Sequence, residues 1–586
     1  MDHSEDKRAK RPALRRIVRR LADPRAIWGR LSRSREQTMD EIDTADNSAL
    51  SIPFDGLAEG KDQVGRDQFF VVTLVCSSVA IHVFMALSLG AKFWYDTIAY
   101  FQLAEDLTSA AALRSLYSGP FGIIYQHVMP GLSFLILVFD GLFASHMWLA
   151  FAIFQNAIDI FASVYLATSL SGYFGKRAQF AVTVLIALFP YFSAFNNAIL
   201  TESLTSSLVM IIVGVTIRCL ESRIPLVRGV AIILFLGILG AQLRIYVAGI
   251  SGGLSLLVLV RSPYRRRIGL YLATAASVIL GVLAFPLYRA AIGAGFFVPN
   301  ADALMLVHTH YVNWDLDDRS KRAVDGAISD QGIVHKLEVA DGEIGTSDVI
   351  KMVDDLVRTG INRTEAIKKI AGAAWVVRTQ SPAVVARQFR LSLSSLGFQW
   401  LTTCCEPSRI VAFDNFTGEK LLAHLKYYYR WNSGLDQSDY SILFQNFSDG
   451  YRQSPCYDST AIDWYTARVG PFVLAHPSPW RDFLQLSMIP PDLIILTGLA
   501  GFLVIAKTGR RIIIIIPFFI MLVVYAASLS TPIFGDNRYA HFLWPFYLVG
   551  CVGLLARTIR GPIRRIQLEY RTFTTQPGSP QAPTSC

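Results

Sequence analysis

No Cys/His spacing in this 586-residue sequence matches a zinc site, which removes the metal-finger classes. No internal repeat is evident, which sets aside solenoids and propellers. No apolar h-region precedes the first long apolar run, so residues 1–66 do not read as a signal peptide. Charge is scarce: Asp, Glu, Lys and Arg make up 17% of the chain, against roughly 25% in an ordinary soluble domain. It is crowded at the N-terminus, in short connections and in one long middle segment. The remainder is apolar, 52% hydrophobic and 12% aromatic with mean hydropathy +0.38, and it falls into repeated runs of membrane-spanning length. A soluble chain this long would divide into several domains of ordinary composition. This pattern predicts an all-α polytopic membrane protein.

The arginines and lysines set a topology. Spans are read at about 68–90, 147–171, 178–197, 200–220, 229–245, 246–262, 268–289, 488–506, 512–530 and 539–557, about ten in all. With the N-terminus inside, the basic groups Gly175–Arg177, Arg223 with Arg228, Arg261–Arg267, Lys507–Arg511 and Arg557–Arg565 all fall on the cytoplasmic side. That count requires PGLSFLILVFDGLF (Pro130–Phe143) to be a surface helix: its apolar core is short and Asp140 interrupts it. The expected domains are then a basic, largely disordered cytoplasmic tail (1–66), a membrane module (67–290) with a long first outer loop (91–146), an α-rich extracytoplasmic domain (291–487), C-terminal membrane helices (488–557) and a cytoplasmic tail (558–586). The N-terminal KRAKRPALRRIVRR (Lys7–Arg20) anchors that end inside, with no recognition fold that would make it a nucleic-acid binder. The expected location is the cytoplasmic (inner) membrane, with both termini cytoplasmic.

The outer pieces hold the chemistry. In the middle domain SDVIKMVDDLVRTG reads as a helix that ends at its glycine, and NRTEAIKKIAGAAWVVRT as the next one. SPAVVARQFRLSLSSLG begins with Ser381 as N-cap and Pro382 at the first helical position. Cys404, Cys405 and Cys456 lie in this domain, where an oxidising compartment permits Cys456 to pair with one of the other two. Asp96 follows the first span, with Tyr100 four residues on and hence on the same helical face. Glu202 opens a later span, Arg244 and Tyr246 sit at outer span ends, and Asp536, Arg538, Tyr539 and His541 lie in the last outer loop. Each alone reads equally well as a cap, an anchor or a salt bridge. As a set on one side, mixing acids with arginines, they read as a site.

Outside the cytoplasm a sugar transferase needs a donor delivered through the membrane, such as a polyprenyl-phosphate sugar. The protein then supplies a base for the acceptor hydroxyl and positive charge for the departing phosphate. Asp96 is the candidate base, Glu202 a second acid, and Arg244 and Arg538 the phosphate ligands. Trp94, Tyr100 and Tyr539 suit a sugar or lipid face, with Tyr246 and His541 as further substrate contacts. A transporter or flippase is the rival from another class, but it would place polar groups on broken helices at mid-membrane depth. A lipid-linked glycan polymerase or ligase is the second rival.

Five stretches carry a resemblance: YDTIAYFQLAEDL, GPFGIIYQHVMPGLSFLIL, NNAILTESLTSSL, AAWVVRTQSPAVVARQFRLSLSSLG and GDNRYAHFLWPFY. Together they resemble the C-type glycosyltransferase superfamily, in particular the dolichyl-phosphate-mannose–protein mannosyltransferases and lipid A aminoarabinose transferases. The resemblance covers 69–288 and 490–557 as short motifs. It implies a polyprenyl-phosphate sugar donor, a glycan, lipid or protein acceptor, membrane lipid around the site, and Asp96 as the first-loop acid. This sequence departs in having Glu202 where relatives carry Asp, and Tyr95 where some have a second acid beside Asp96. The resemblance allows a divalent cation and requires none.

Overall fold

The computed structural model describes residues 59–89, 95–118, 128–189, 193–261, 268–296, 356–362, 365–366, 368–369, 491–506, 512–528 and 541–558. The chain falls into two compact units, Met1–Phe70 and Val71–Cys586. In the first, the described part is the polar start of helix α1 (Glu59–Leu89). The second holds every helix that follows.

Those helices are α2 (Tyr95–Asp106), α3 (Ala110–Ser118), α4 (Pro130–Phe143), α5 (Met147–Ser169), α6 (Lys176–Leu188), α7 (Thr201–Leu220), α8 (Leu226–Ala241), α9 (Tyr246–Arg261), α10 (Ile268–Ala291), α11 (Pro491–Ala506), α12 (Ile512–Ser528) and α13 (544–558). Among the described residues there is no β-strand. Among the described residues, four helical stretches are long and apolar enough to cross a membrane: Asp67–Leu87, Met147–Gly172, Thr201–Leu220 and Ile268–Ala291. Each coincides with an expected span. Shorter apolar helices stand at Leu226–Ala241, Tyr246–Arg261, Leu493–Val504 and Ile515–Val524. Large apolar side chains such as Val83, Leu87, Leu272 and Ile279 are exposed along α1 and α10, as lipid-facing positions are. The chain is a helical membrane protein.

Helix α7 is the centre. Of its most apolar stretch 72% is buried, against 22% for α1 and 17% for α10. Its sequence explains why. TESLTSSLVMIIVGVTIRCL is rich in small and hydroxyl residues, which let neighbouring backbones come close. A Cβ at Gly214 would lie 2.8 Å from the Tyr165 ring of α5, so the glycine sets the α5–α7 approach. Helices α5, α8, α9 and α12 pack around α7. Glu202 stands in its first turn and Arg218 in its last, each at the favourable end of the helix dipole.

Two boundaries bear on the topology. Helix α4 covers Pro130–Phe143 with Pro at its start, and ends where Ala144 turns to φ +45°. At 14 residues it is about 21 Å long, short of a hydrocarbon core of about 30 Å. The expected span at 178–197 is shorter than the pattern suggested. Helix α6 stops at Leu188, Phe189 is extended, and a separate 3-10 turn follows at Ala194–Asn197. The cause is in the sequence: the residue before a proline, here Pro190, is pushed out of helical geometry.

In the middle segment, the helix containing Leu356–Arg358 ends at Gly360, which takes φ +91°. Asn362 then caps the next turn, its Oδ1 accepting the Glu365 N–H at 3.0 Å. This agrees with the helix ends expected there. The expected helix from Ser381 and the pairing of Cys456 lie outside the described residues.

Candidate functional site

The site is built where α7, the α8–α9 turn and the start of α13 meet. Gly240 accepts from Arg244 and Leu243, folding the chain sharply between α8 and α9. That turn directs Arg244 at the start of α7. Its Nη2 donates to Glu202 Oε1 at 2.7 Å, and its Nε donates to Thr201 Oγ1 at 2.7 Å. Glu202 is buried, while 19% of the Arg244 side chain remains exposed. A carboxylate taken out of water needs such a partner, and the charge-assisted contact fixes the guanidinium plane. The acid also sits among the N-terminal N–H groups of α7, where the helix dipole favours negative charge.

Aromatic contacts close the group. Tyr246 packs against Phe542 in a tilted pair at 5.0 Å between ring centroids, and His541 meets Phe195 edge-on at 4.5 Å. Glu202, Arg244, Tyr246 and His541 therefore gather at one end of the bundle. Both Tyr246 and His541 are buried, so they wall the site rather than project from it.

The helix that carries Asp96 is linked to this end through α4. Asp96 lies in the first turn of α2. Tyr100, Phe101, Leu103 and Ala104 form the buried face of that helix, and α2 packs on α4. At the start of α4, the Gly131 N–H donates to the Gln242 carbonyl of the α8–α9 turn at 2.8 Å. A Cβ on residue 131 would stand 2.6 Å from that oxygen, so only glycine fits. The layer carrying Asp96 and the turn carrying Arg244 are thus tied through α4. Trp94, Arg538 and Tyr539 lie outside the described residues.

Two groups of ionisable residues escaped the sequence reading. The first lies on two candidate membrane-spanning helices: His82 Nε2 lies 2.8 Å from Asp159 Oδ2, and both side chains are buried. Asn196 Nδ2 donates to the same oxygen at 2.9 Å, and the Ser207 hydroxyl to Oδ1 at 3.3 Å. The second is Arg289, fully buried near the end of α10. Its guanidinium lies 4.5 Å from the Tyr117 ring and 5.3 Å from that of Phe285. Burial pushes the Tyr117 hydroxyl up to about 12, and Arg289 beside it pulls the other way. A signal was present for both: a His, an Asp and an Arg inside apolar runs. Among the described residues no group of three or more His, Cys, Asp or Glu side chains is placed to hold a metal ion.

The chain matches no family model and no curated protein. Two solved structures of the Archaeoglobus fulgidus oligosaccharyltransferase are similar to it. One, AglB in complex with an inhibitory peptide and a dolichol-phosphate, is 12% identical with a TM-score of 0.31, over 88% of this chain and 53% of that one. The other, the apo form, is 13% identical with a TM-score of 0.32, over 86% and 52%. The chain thus spans about half the length of these structures. Similarity at this level says nothing of chemistry, which has to come from the residues.

Proposed function

We propose that this chain is a membrane glycosyltransferase that moves a sugar from a polyprenyl-phosphate donor to a glycan, lipid or protein acceptor at the outer face of the cytoplasmic membrane. The observation that carries this reading is the Glu202–Arg244–Thr201 cluster. An acid and an arginine from different helix ends are locked together, on the end of the bundle joined through α4 to the helix of Asp96. In a single displacement, Asp96 accepts the proton of the acceptor hydroxyl as its oxygen bonds to C1 of the sugar. The C1–O bond to phosphate breaks, and its electron pair leaves with the polyprenyl phosphate. Stereochemistry at C1 inverts. Arg244 and Arg538 neutralise the charge gained by the phosphate. Glu202 holds the Arg244 fork in the plane that the phosphate requires, and Tyr100, Tyr246 and His541 shape the walls.

The test uses the purified full chain in lipid nanodiscs with a panel of polyprenyl-phosphate hexoses and extracytoplasmic acceptors. Wild-type protein releases polyprenyl phosphate and forms a glycosylated product of inverted configuration. Asp96→Asn inserts and folds normally but turns over about 10²-fold more slowly. Intact donor moved between leaflets without release would instead identify a flippase. An Asp96→Asn protein with the wild-type rate would return that residue to a helix-terminal role.

A further inference from the structure

The His82–Asp159 contact and the hydrogen bonds around it join four parts of the bundle. His82 belongs to α1 and Asp159 to α5. Asn196 lies in the 3-10 turn and Ser207 on α7. The bonds have direction. Asn196 Oδ1 accepts the Ser203 hydroxyl at 2.5 Å, so its Nδ2 is the donor that faces Asp159. The Asp159 carboxylate therefore receives three bonds, from His82, Asn196 and Ser207.

The imidazole is more constrained still. Nε2 faces the Asp159 carboxylate at 2.8 Å. Nδ1 faces the Ser78 carbonyl oxygen, also at 2.8 Å. The Ser78 hydroxyl is farther from Nδ1, at 3.4 Å. A backbone carbonyl only accepts, so Nδ1 carries a proton; facing an ionised carboxylate, Nε2 carries one too. Charge balance disfavours one alternative. Neutral imidazole with ionised Asp159 would leave one uncompensated negative charge among apolar helices, which is expensive. Among the described residues, the groups hydrogen-bonded to the pair are Ser78, Asn196 and Ser207, none of them charged.

The network ends at the site. Gln155, one turn before Asp159, donates from Nε2 to the carbonyls of Asn196 and Ala198 at 3.1 and 2.8 Å. Asn197 Nδ2 reaches the Ala86 carbonyl of α1 at 3.4 Å. Two residues after Leu200 stands Glu202, and Ser203 is itself in the network.

We propose that His82 and Asp159 form a buried imidazolium–carboxylate pair, and that through Asn196 and Ser203 this pair is the positioning element for the segment that presents Glu202. The role of Glu202 in transfer rests on the function proposed above; the charge state of the pair and its hold on the segment do not.

Two measurements on the full chain in nanodiscs test this without any substrate. The first is nitrogen NMR of histidine-labelled wild-type protein at pH 8. There an ordinary histidine, with a pKa near 6.5, is almost wholly neutral. One of the ten histidines should still show both ring nitrogens protonated. If none does, the proposal is overturned. The second is amide exchange over 193–203. Asp159→Asn and His82→Gln should each speed it about ten-fold and leave exchange in the α8–α9 hairpin unchanged. Unaltered exchange over 193–203 would overturn the positioning role even if the imidazolium is found. A protein that passes both tests but transfers no sugar upholds the pair and removes the glycosyltransferase reading. Normal transfer with every histidine neutral does the reverse.

Discussion

Arg244 holds Glu202 by a bond whose loss is asymmetric. Arg244→Ala leaves a buried carboxylate without this counter-charge, a change that costs about 2–3 kcal/mol where one partner keeps some exposure. Removing both charges, in Glu202→Gln with Arg244→Ala, should cost less than Arg244→Ala alone. Thermal unfolding of the three proteins in one detergent checks this. A double variant as unstable as the sum of the singles would show that the two residues are not coupled. The sequence disclosed these residues because each stands where an apolar run stops, a place that hydropathy marks. It did not disclose that they touch, since they are 42 positions apart. His82 and Asp159 were hidden for the converse reason. Each is a single ionisable group whose cost is averaged away inside a long apolar window, and its partner lies 77 positions off.

Three helices end in the same way. After α7, Arg223 N–H reaches back to the Arg218 carbonyl and Ser222 N–H to that of Cys219. After α10, Ala294 bonds to Arg289 and Gly293 to Ala290. After the helix at 356–358, Ile361 bonds to Leu356 and Gly360 to Val357. This is the Schellman pattern, which wants a left-handed residue. Gly293 and Gly360 supply it at φ +78° and +91°, but after α7 the position is Ser222 at φ +60°. Ser222→Gly should therefore stabilise the protein by about 0.5–1 kcal/mol. Gly360→Ala should destabilise it by about 1 kcal/mol through backbone strain alone, because a Cβ there meets nothing within 4 Å. Thermal midpoints of the two variants should move in opposite directions; a shared direction would contradict the assignment. Glycine and proline made several such ends readable: the stop at Gly360 and the proline-led start of α4 were both visible in advance. The early end of α6 was not, because the apolar pattern runs on past Pro190 and periodicity alone weighs it lightly.

At the scale of the whole molecule, the alternation of basic connections predicts which end of the bundle faces outward, and that expectation has its own test. In a background lacking the native cysteines, an impermeant thiol reagent applied outside should label Ser320→Cys and spare Ser262→Cys. Labelling of Ser262→Cys would reverse the topology and put Glu202 and Arg244 on the cytoplasmic face. Sequence could go this far because the positive-inside bias acts on whole loops and needs no contact information. Packing order, with α7 at the centre although α12 is far more hydrophobic, follows from small residues and shape and is not visible in hydropathy.

The short helices of the bundle act on the lipid as well as on the protein. Helix α6 has 13 residues and α8 has 16, about 20 and 24 Å along their axes against a hydrocarbon thickness of about 30 Å. The difference is hydrophobic mismatch. A bilayer meeting either helix must thin or leave polar helix ends in contact with acyl chains, at a fraction of a kcal/mol for each ångström. The protein should accordingly show a higher thermal midpoint in lipids with 14-carbon chains than in those with 20-carbon chains. In a membrane of uneven thickness it should gather in the thinner regions, with the surrounding leaflet dimpled toward α6 and α8.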